Sequence, residues 1–311
     1  MAGLLHFPRT RAEFDAMFAT DKDCIDFLAR VRWPSSYKCQ GCGNREWWLT
    51  ARQYACCTEC GRQQSLRSGT ILQDSRFPLK TWFQVAWHVC EQKNGISALG
   101  LQRAIGFGSY NTAWEWLHRM RRAMVVPGRS RLTGEVEVDE TFVGGVKPGK
   151  RGRGAAGKTL VLMAAEIRGV AIGRIRLQVI PDAAAVTLLD AVEDIAEPNS
   201  QIVTDGWKSY AKLPSRGFIH TVSRHTTHGP DEIGEQPLPH VHRIASLLKR
   251  WLLGTHQGSV SPAMLQYYLD EFVFRFNRRT SFSRGMLFRK LVEQLVAHRP
   301  VTRLQIVSHL P

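Results

Sequence analysis

Four cysteines fall in two matched pairs, Cys39-x-x-Cys42-Gly43 and Cys57-x-x-Cys60-Gly61, with 18 positions from Cys39 to Cys57. A Cys-x-x-Cys turn brings two thiolates to one side of a tight knuckle, and the glycine after it permits the positive φ the knuckle needs. Two knuckles supply the four soft ligands of a closed tetrahedral Zn²⁺ site, with no position left open for catalysis. Cys24, Cys56 and Cys90 have no matched partner and read as core residues. Cys56 adjoins Cys57 but breaks the knuckle spacing. A module this small buries little, so zinc would supply much of its folding energy.

Two aspartates offer a different chemistry. Glu135-Val136-Glu137-Val138-Asp139 alternates as a half-exposed strand does, and Gln201-Ile202-Val203-Thr204 reads as a short buried strand running into Asp205-Gly206. A carboxylate at a strand end is rigidly aimed, and two such ends can converge on one pair of metal ions. Two ions roughly 4 Å apart can activate an attacking oxygen and stabilise the leaving oxygen of an in-line displacement at phosphorus. Oxygen ligands of this kind suit Mg²⁺. Strand-end aspartates are common, so the pattern takes its meaning from its surroundings.

Those surroundings are basic. The 311 residues carry 42 Lys and Arg against 27 Asp and Glu, a formal charge of +15. Such an excess attracts polyanions, and nucleic acid is the first candidate partner. No segment approaches the roughly 18 uninterrupted apolar residues of a membrane span. Met1 to Phe14 lacks a secretory pattern, and seven cysteines then suggest metal binding in a reducing, cytoplasmic setting, with the nucleoid as the place of action on DNA.

Three zones position these residues. Residues 1–75 hold the cysteine pairs among short, turn-rich segments, with a zinc ribbon at about 36–65. Within it Lys38, Arg45, Arg52, Arg62 and Arg67 interleave with Trp47, Trp48 and Tyr54, a mixture suited to DNA. Residues 76–126 read as a helical DNA-binding segment. Ser97–Gly106, a Gly-Phe-Gly turn and Ser109–Met124 form a helix-turn-helix pattern, and the second helix ends in the basic run His118–Arg122. Trp114 and Trp116 read as core. From about 130 to 300 the period is α/β. Strands are expected at 160–167 and 173–180, and a helix at about 183–195. A glycine-rich basic loop at 144–158 precedes them, and a polar loop at 224–238 leads into helices at 240–253 and 262–279.

In this order the motifs become specific. The cysteine knuckles are followed by Ser68-Gly69-Thr70, Pro78-Leu79-Lys80-Thr81-Trp82-Phe83 and Asn94-Gly95-Ile96-Ser97. Next come Val138-Asp139-Glu140-Thr141-Phe142-Val143-Gly144-Gly145, Thr204-Asp205-Gly206-Trp207 and Leu247-Leu248-Lys249-Arg250. Tyr268-Leu269-Asp270-Glu271-Phe272 and Phe276-Asn277-Arg278-Arg279 close the series. Together they resemble the DDE-type insertion-sequence transposases that carry an N-terminal zinc ribbon, over nearly the whole chain. The resemblance implies a ribonuclease-H-like catalytic core with Mg²⁺ or Mn²⁺. It implies cleavage and strand transfer of DNA, and an oligomer acting on terminal inverted repeats and target DNA. It makes Asp139 and Asp205 the first two catalytic carboxylates.

The third position departs from a plain carboxylate. Aligned seven residues before Lys249, it is His242. Seven residues make nearly two helical turns, so His242 and Lys249 share a face, with Ser246 between them. The resemblance extends to members with Asn or His followed by Lys at this place, and Lys249 would meet a phosphate. Asp231, Glu232, Glu235 and His240 compete for the third role, with Glu271 behind them. Glu140 is expected on the opposite strand face. Two rival readings remain open at this level: a catalytically silent DNA-binding regulator, and a ribonuclease-H-like nuclease without strand transfer.

Overall fold

The computed structural model describes residues 6–33, 37–126, 128–144, 158–223, 238–258 and 260–308. Most of the 144–158 loop, most of the 224–238 loop, and with it Asp231, Glu232 and Glu235, lie outside the described residues. Two compact units divide the chain. One comprises residues 1–127 with 280–311, the other residues 128–279.

The first unit opens with two helices where short, turn-rich segments are expected, α1 (Arg11–Met17) and α2 (Asp21–Arg32). Each is started by a threonine. Thr10 accepts from the Glu13 N–H, and Thr20 with Asp23 forms a reciprocal capping box. Cys24, Phe27, Leu28 and Val31, spaced three and four apart, form the buried stripe of α2. A three-stranded antiparallel sheet follows, β1 (Trp47–Leu49), β2 (Tyr54–Cys57) and β3 (Gln63–Ser65), in that order.

Three helices complete this stretch: α3 (Leu79–Glu91), α4 (Ala98–Ile105) and α5 (Tyr110–Ala123). Ser97 and Ser109 cap α4 and α5, and Gly106 at φ +80° ends α4 in the left-handed conformation. The helix-turn-helix outline therefore stands as read. Its basic end, His118–Arg122, is withdrawn from solvent, with no residue of the run in the exposed class. His118 and Arg121 are buried, and Arg119 pairs with Glu115 at 2.8 Å. Trp116 is core, its ring 4.1 Å from that of Trp82.

The second unit is α/β. Its elements are β4 (Glu135–Val143), β5 (Thr159–Arg168), β6 (Ala171–Ile180), α6 (Ala185–Ile195), β7 (Gln201–Thr204), β8 (Ile219–Val222), α7 (Pro239–His256) and α8 (Leu265–Phe276). The strands form one mixed sheet in the order β6-β5-β4-β7-β8. β4, β5 and β6 pair antiparallel, whereas β4-β7 and β7-β8 pair parallel. A core of Val136, Val138, Leu162, Leu188, Val192 and Ile202 lies between the sheet and α6. Removing one such buried Leu costs about 2–5 kcal/mol. α7 packs on β4 and β5, and α8 covers β6. The open edge of β6 is closed by side chains. The Ile175 N–H donates to Asn277 at 2.8 Å and the Val179 N–H to Gln266 at 2.9 Å, which removes a free pairing edge.

The chain then returns to the first unit with α9 (Arg284–Ala297) and α10 (Arg303–Ser308). Phe288 on α9 packs its ring within 5.7 Å of Phe14, Phe83 and Trp87. Gly285 admits the Pro8 carbonyl so closely that any Cβ there would collide with it. The sequence reading carries the α/β domain to 300; the compact unit ends at Arg279, because α9 buries its apolar face on α3.

Candidate active site and metal centre

The four paired cysteines converge. Cys39, Cys42, Cys57 and Cys60 place their sulfurs within 4.8 Å of one another. Cys39 Sγ lies 3.5 Å from Cys60 Sγ, and Cys42 Sγ lies 3.6 Å from Cys57 Sγ. The edge of a ZnS₄ tetrahedron is about 3.8 Å for a Zn–S bond near 2.3 Å, so the cluster is compatible with zinc. Gly43 (φ +78°) and Gly61 (φ +69°) close the two knuckles, and their N–H groups donate to the carbonyls of Cys39 and Cys57. Backbone N–H groups of Cys42 and Gly41 directed at Cys39 pull its thiol down to about 6, towards the ligating thiolate. Cys24, Cys56 and Cys90 are buried away from the cluster, as expected.

Around the cluster the basic residues separate by role. Lys38, Arg45, Arg52 and Arg62 are exposed, as are Trp48 and Tyr54. Trp47 instead packs against Trp33 and Tyr37. Arg67 is structural, donating to the carbonyls of Ser75 and Phe77 at 3.0 and 2.8 Å.

In the α/β unit the two aspartates come from paired strands: Asp139 lies on β4, and Asp205 directly follows β7. β4 and β7 pair in parallel with Glu137 opposite Val203. Asp139 lies two positions beyond Glu137 on β4, Asp205 lies two beyond Val203, just past the end of β7, and the charge of Asp205 acts on the Asp139 carboxyl. The sequence reading ends the first strand at Asp139. β4 runs on to Val143 because it keeps its antiparallel partner β5 as far as Thr159. β7 stops at Thr204, and Asp205 begins the turn beyond it. Asp205 Oδ1 accepts the Trp207 N–H at 2.9 Å. Gly206 adopts φ +84° with Val222 so close that a Cβ would meet its Cγ1 at 2.6 Å, so the turn needs glycine.

The carboxylate face of β4 is not the solvent face the alternation suggests, because α7 covers it. α7 brings the third residue: His242 Nε2 lies 3.3 Å from Asp139 Oδ2. Burial pushes the Asp139 carboxyl above its usual range, and the charge of Asp205 adds to this while His242 opposes it. Lys249 is exposed two turns along α7 and lines a cavity of about 330 Å³ with Phe142, Val143, Leu252 and Leu265. Glu140 faces the other way, as expected, and accepts a hydrogen bond from Tyr210. Burial and that carboxylate hold the Tyr210 phenol protonated.

Of the alternatives for the third position, His240 is engaged elsewhere, its Nδ1 2.6 Å from Glu137 Oε1. Glu271 is buried and bonded to Arg275 at 2.8 Å. Glu137 itself was not legible as a site residue. Its only signal is its place on the same strand face as Asp139.

Comparison with known proteins adds a similarity for this unit. Residues 131–277 match the model of the ISXO2-like transposase domain. That span is similar to an ISXO2-like transposase domain. The span contains Asp139, Asp205, His242 and Lys249. The chain is also similar to an uncharacterized protein in transposable element ISH50 of Halobacterium salinarum. The two are 28% identical over 283 residues, covering 83% of this chain and 91% of the relative. That alignment reaches beyond residues 131–277 into the unit that holds the cysteine cluster. No described helix is long and apolar enough to cross a membrane.

Proposed function

We propose that the protein is a transposase that binds the ends of an insertion sequence and cuts and joins DNA there by metal-dependent phosphoryl transfer. The observation that carries this reading is the approach of His242 to Asp139 at 3.3 Å, with the charge of Asp205 acting on the same carboxyl. The mixed five-stranded sheet, with three antiparallel strands followed by two parallel ones, supports a ribonuclease-H-like core.

The donor set fits a divalent cation. Two carboxylates that act on each other, one of them buried enough to resist ionising, form a site that a positive charge would stabilise. Asp139 and Asp205 would hold Mg²⁺ or Mn²⁺, with His242 as a softer third donor. A bound ion of this kind supplies charge neutralisation at phosphorus and an activated oxygen nucleophile.

The residues themselves supply position and charge. The two aspartates would fix where the scissile phosphate can sit, because Asp139 lies on β4 and Asp205 directly follows its paired strand β7. Lys249, exposed on the same helix as His242, would take a neighbouring phosphate oxygen. In the first step water adds to phosphorus as the bond to the 3′ oxygen breaks, leaving a 3′ hydroxyl and a 5′ phosphate. In the second, that hydroxyl attacks a target phosphodiester and displaces its 3′ oxygen. The exposed Lys38, Arg45, Arg52 and Arg62 around the four-cysteine cluster would neutralise backbone phosphates, and the helix-turn-helix of the same unit would share recognition of the inverted repeats. The protein would act as an oligomer that pairs two ends.

A strand-transfer assay tests the reading. Labelled 3′-end duplexes from the repeats that bound the reading frame are incubated with plasmid and Mn²⁺ or Mg²⁺. Joined product supports the transposase. Nicking without joining assigns a nuclease, and end binding with neither reaction assigns the silent regulator that His242 in place of a carboxylate favours.

A further inference from the structure

We infer that Glu137 is a positioning residue, clamping the start of α7 so that His242 faces Asp139; the catalytic use of that contact rests on the function proposed above. The argument begins with the backbone of α7. Its N-cap residue, Leu238, is left-handed (φ +55°) and offers no side-chain cap. The first-turn N–H groups must therefore find partners elsewhere. Pro239 has none to satisfy. His240 and Val241 donate theirs to Glu137 Oε2 at 2.9 and 3.0 Å, and His242 donates to the Leu238 carbonyl at 3.2 Å. Glu137 Oε1 accepts from His240 Nδ1 at 2.6 Å. Both carboxylate oxygens of a side chain only 5% exposed are thus committed to one helix end. Negative charge at that end is also favoured by the helix dipole.

The clamp and the reacting contact share two rigid elements. Glu137 and Asp139 are alternate residues on one face of β4, and their partners His240 and His242 are two residues apart on α7. Glu137 bonded to residue 240 fixes the height of the helix over the strand. The 3.3 Å contact of His242 with Asp139 follows one step along. Without Glu137, no local cap holds the first turn of α7 in place, and His242 sits in that turn.

The test reads the contact directly, in the full-length protein labelled with ¹⁵N-histidine. The His242 ring signal is assigned by its loss in His242→Gln, and its response to Asp139→Asn is measured. In Glu137→Ala that response should vanish. In Glu137→Gln, which keeps an acceptor for the two N–H groups, most of it should remain. Where Glu137→Ala fails to fold, Glu137→Asp serves, since its shorter side chain withdraws the carboxylate; the response should fall by half or more. A response equal to wild type in folded Glu137→Ala or Glu137→Asp overturns the inference. In parallel, DNA cleavage by Glu137→Ala should fall about a hundredfold in kcat, the scale of a misplaced catalytic group, with KM for DNA little changed. Loss of the His242 response with cleavage intact would leave the clamp standing and remove His242 from the chemistry proposed above.

Discussion

His242 Nε2 lies 3.3 Å from Asp139 Oδ2, and the two side chains come from elements separated by 103 positions in the chain. An imidazole in this place pairs with the carboxylate when no cation stands between them. A carboxylate in its place would repel Asp139 until one did. His242→Glu should therefore lower the melting temperature in chelator, and Mg²⁺ should raise it by more than in wild type. In wild type Mn²⁺ should support cleavage at least as well as Mg²⁺, because imidazole suits the softer ion. Equal Mg²⁺ shifts for wild type and His242→Glu would remove residue 242 from the metal site.

The cysteine cluster makes a selective prediction. Cys56 and Cys57 are adjacent on β2, but only Cys57 joins the cluster; Cys56 Sγ lies 3.5 Å from the Gly61 carbonyl oxygen. Elemental analysis should find about one zinc per chain in wild type and in Cys56→Ser, and a large loss in Cys57→Ser. Zinc retained in Cys57→Ser would break the four-thiolate assignment.

How far this was legible in the sequence depended on the range of the interactions. The cysteine knuckles were readable because a Cys-x-x-Cys-Gly turn is set by its own few residues. The strands at 160–167, 173–180 and 201–204 were readable from local pattern and lie within β5, β6 and β7. α2 was missed although Thr20 with Asp23 and the stripe from Cys24 to Val31 signal it, because the neighbouring cysteines drew the reading towards turns. The exposed face assigned to Glu137 and Asp139 failed for a different reason. Alternation shows that two faces differ, not which later helix covers one of them, and α7 arrives about a hundred residues on. The basic run His118–Arg122 shows the same limit: burial of Arg121 is decided by the packing of α5 in its unit, not by its charge.

Glu166 gives a prediction for stability against pH. It is buried on β5, where desolvation alone would raise its carboxyl. Arg174 at 2.8 Å and the N–H groups of Arg174 and Thr133 outweigh that and hold it down at about 2. A carboxyl depressed from its ordinary value of 4.5 contributes stability that is complete above that value and is lost as pH falls towards about 2. The contribution is on the order of 2–3 kcal/mol. Glu166→Gln should cost a similar amount at neutral pH, and wild type and variant should converge in stability by about pH 2. A difference that stays constant between pH 6 and pH 3 would show that the pair does not work by charge.

The central proposal is that Asp139 and Asp205 form the reacting centre of a transposase. Asn at either position keeps the shape and removes the charge that a divalent ion needs. The most direct measurement is cleavage of a terminal-repeat duplex by wild type, Asp139→Asn and Asp205→Asn, with duplex binding followed in the same samples. Cleavage should fall by at least about a thousandfold in both variants, a transition-state loss of roughly 4 kcal/mol, while binding stays near wild type. Wild-type cleavage by either variant would contradict the account.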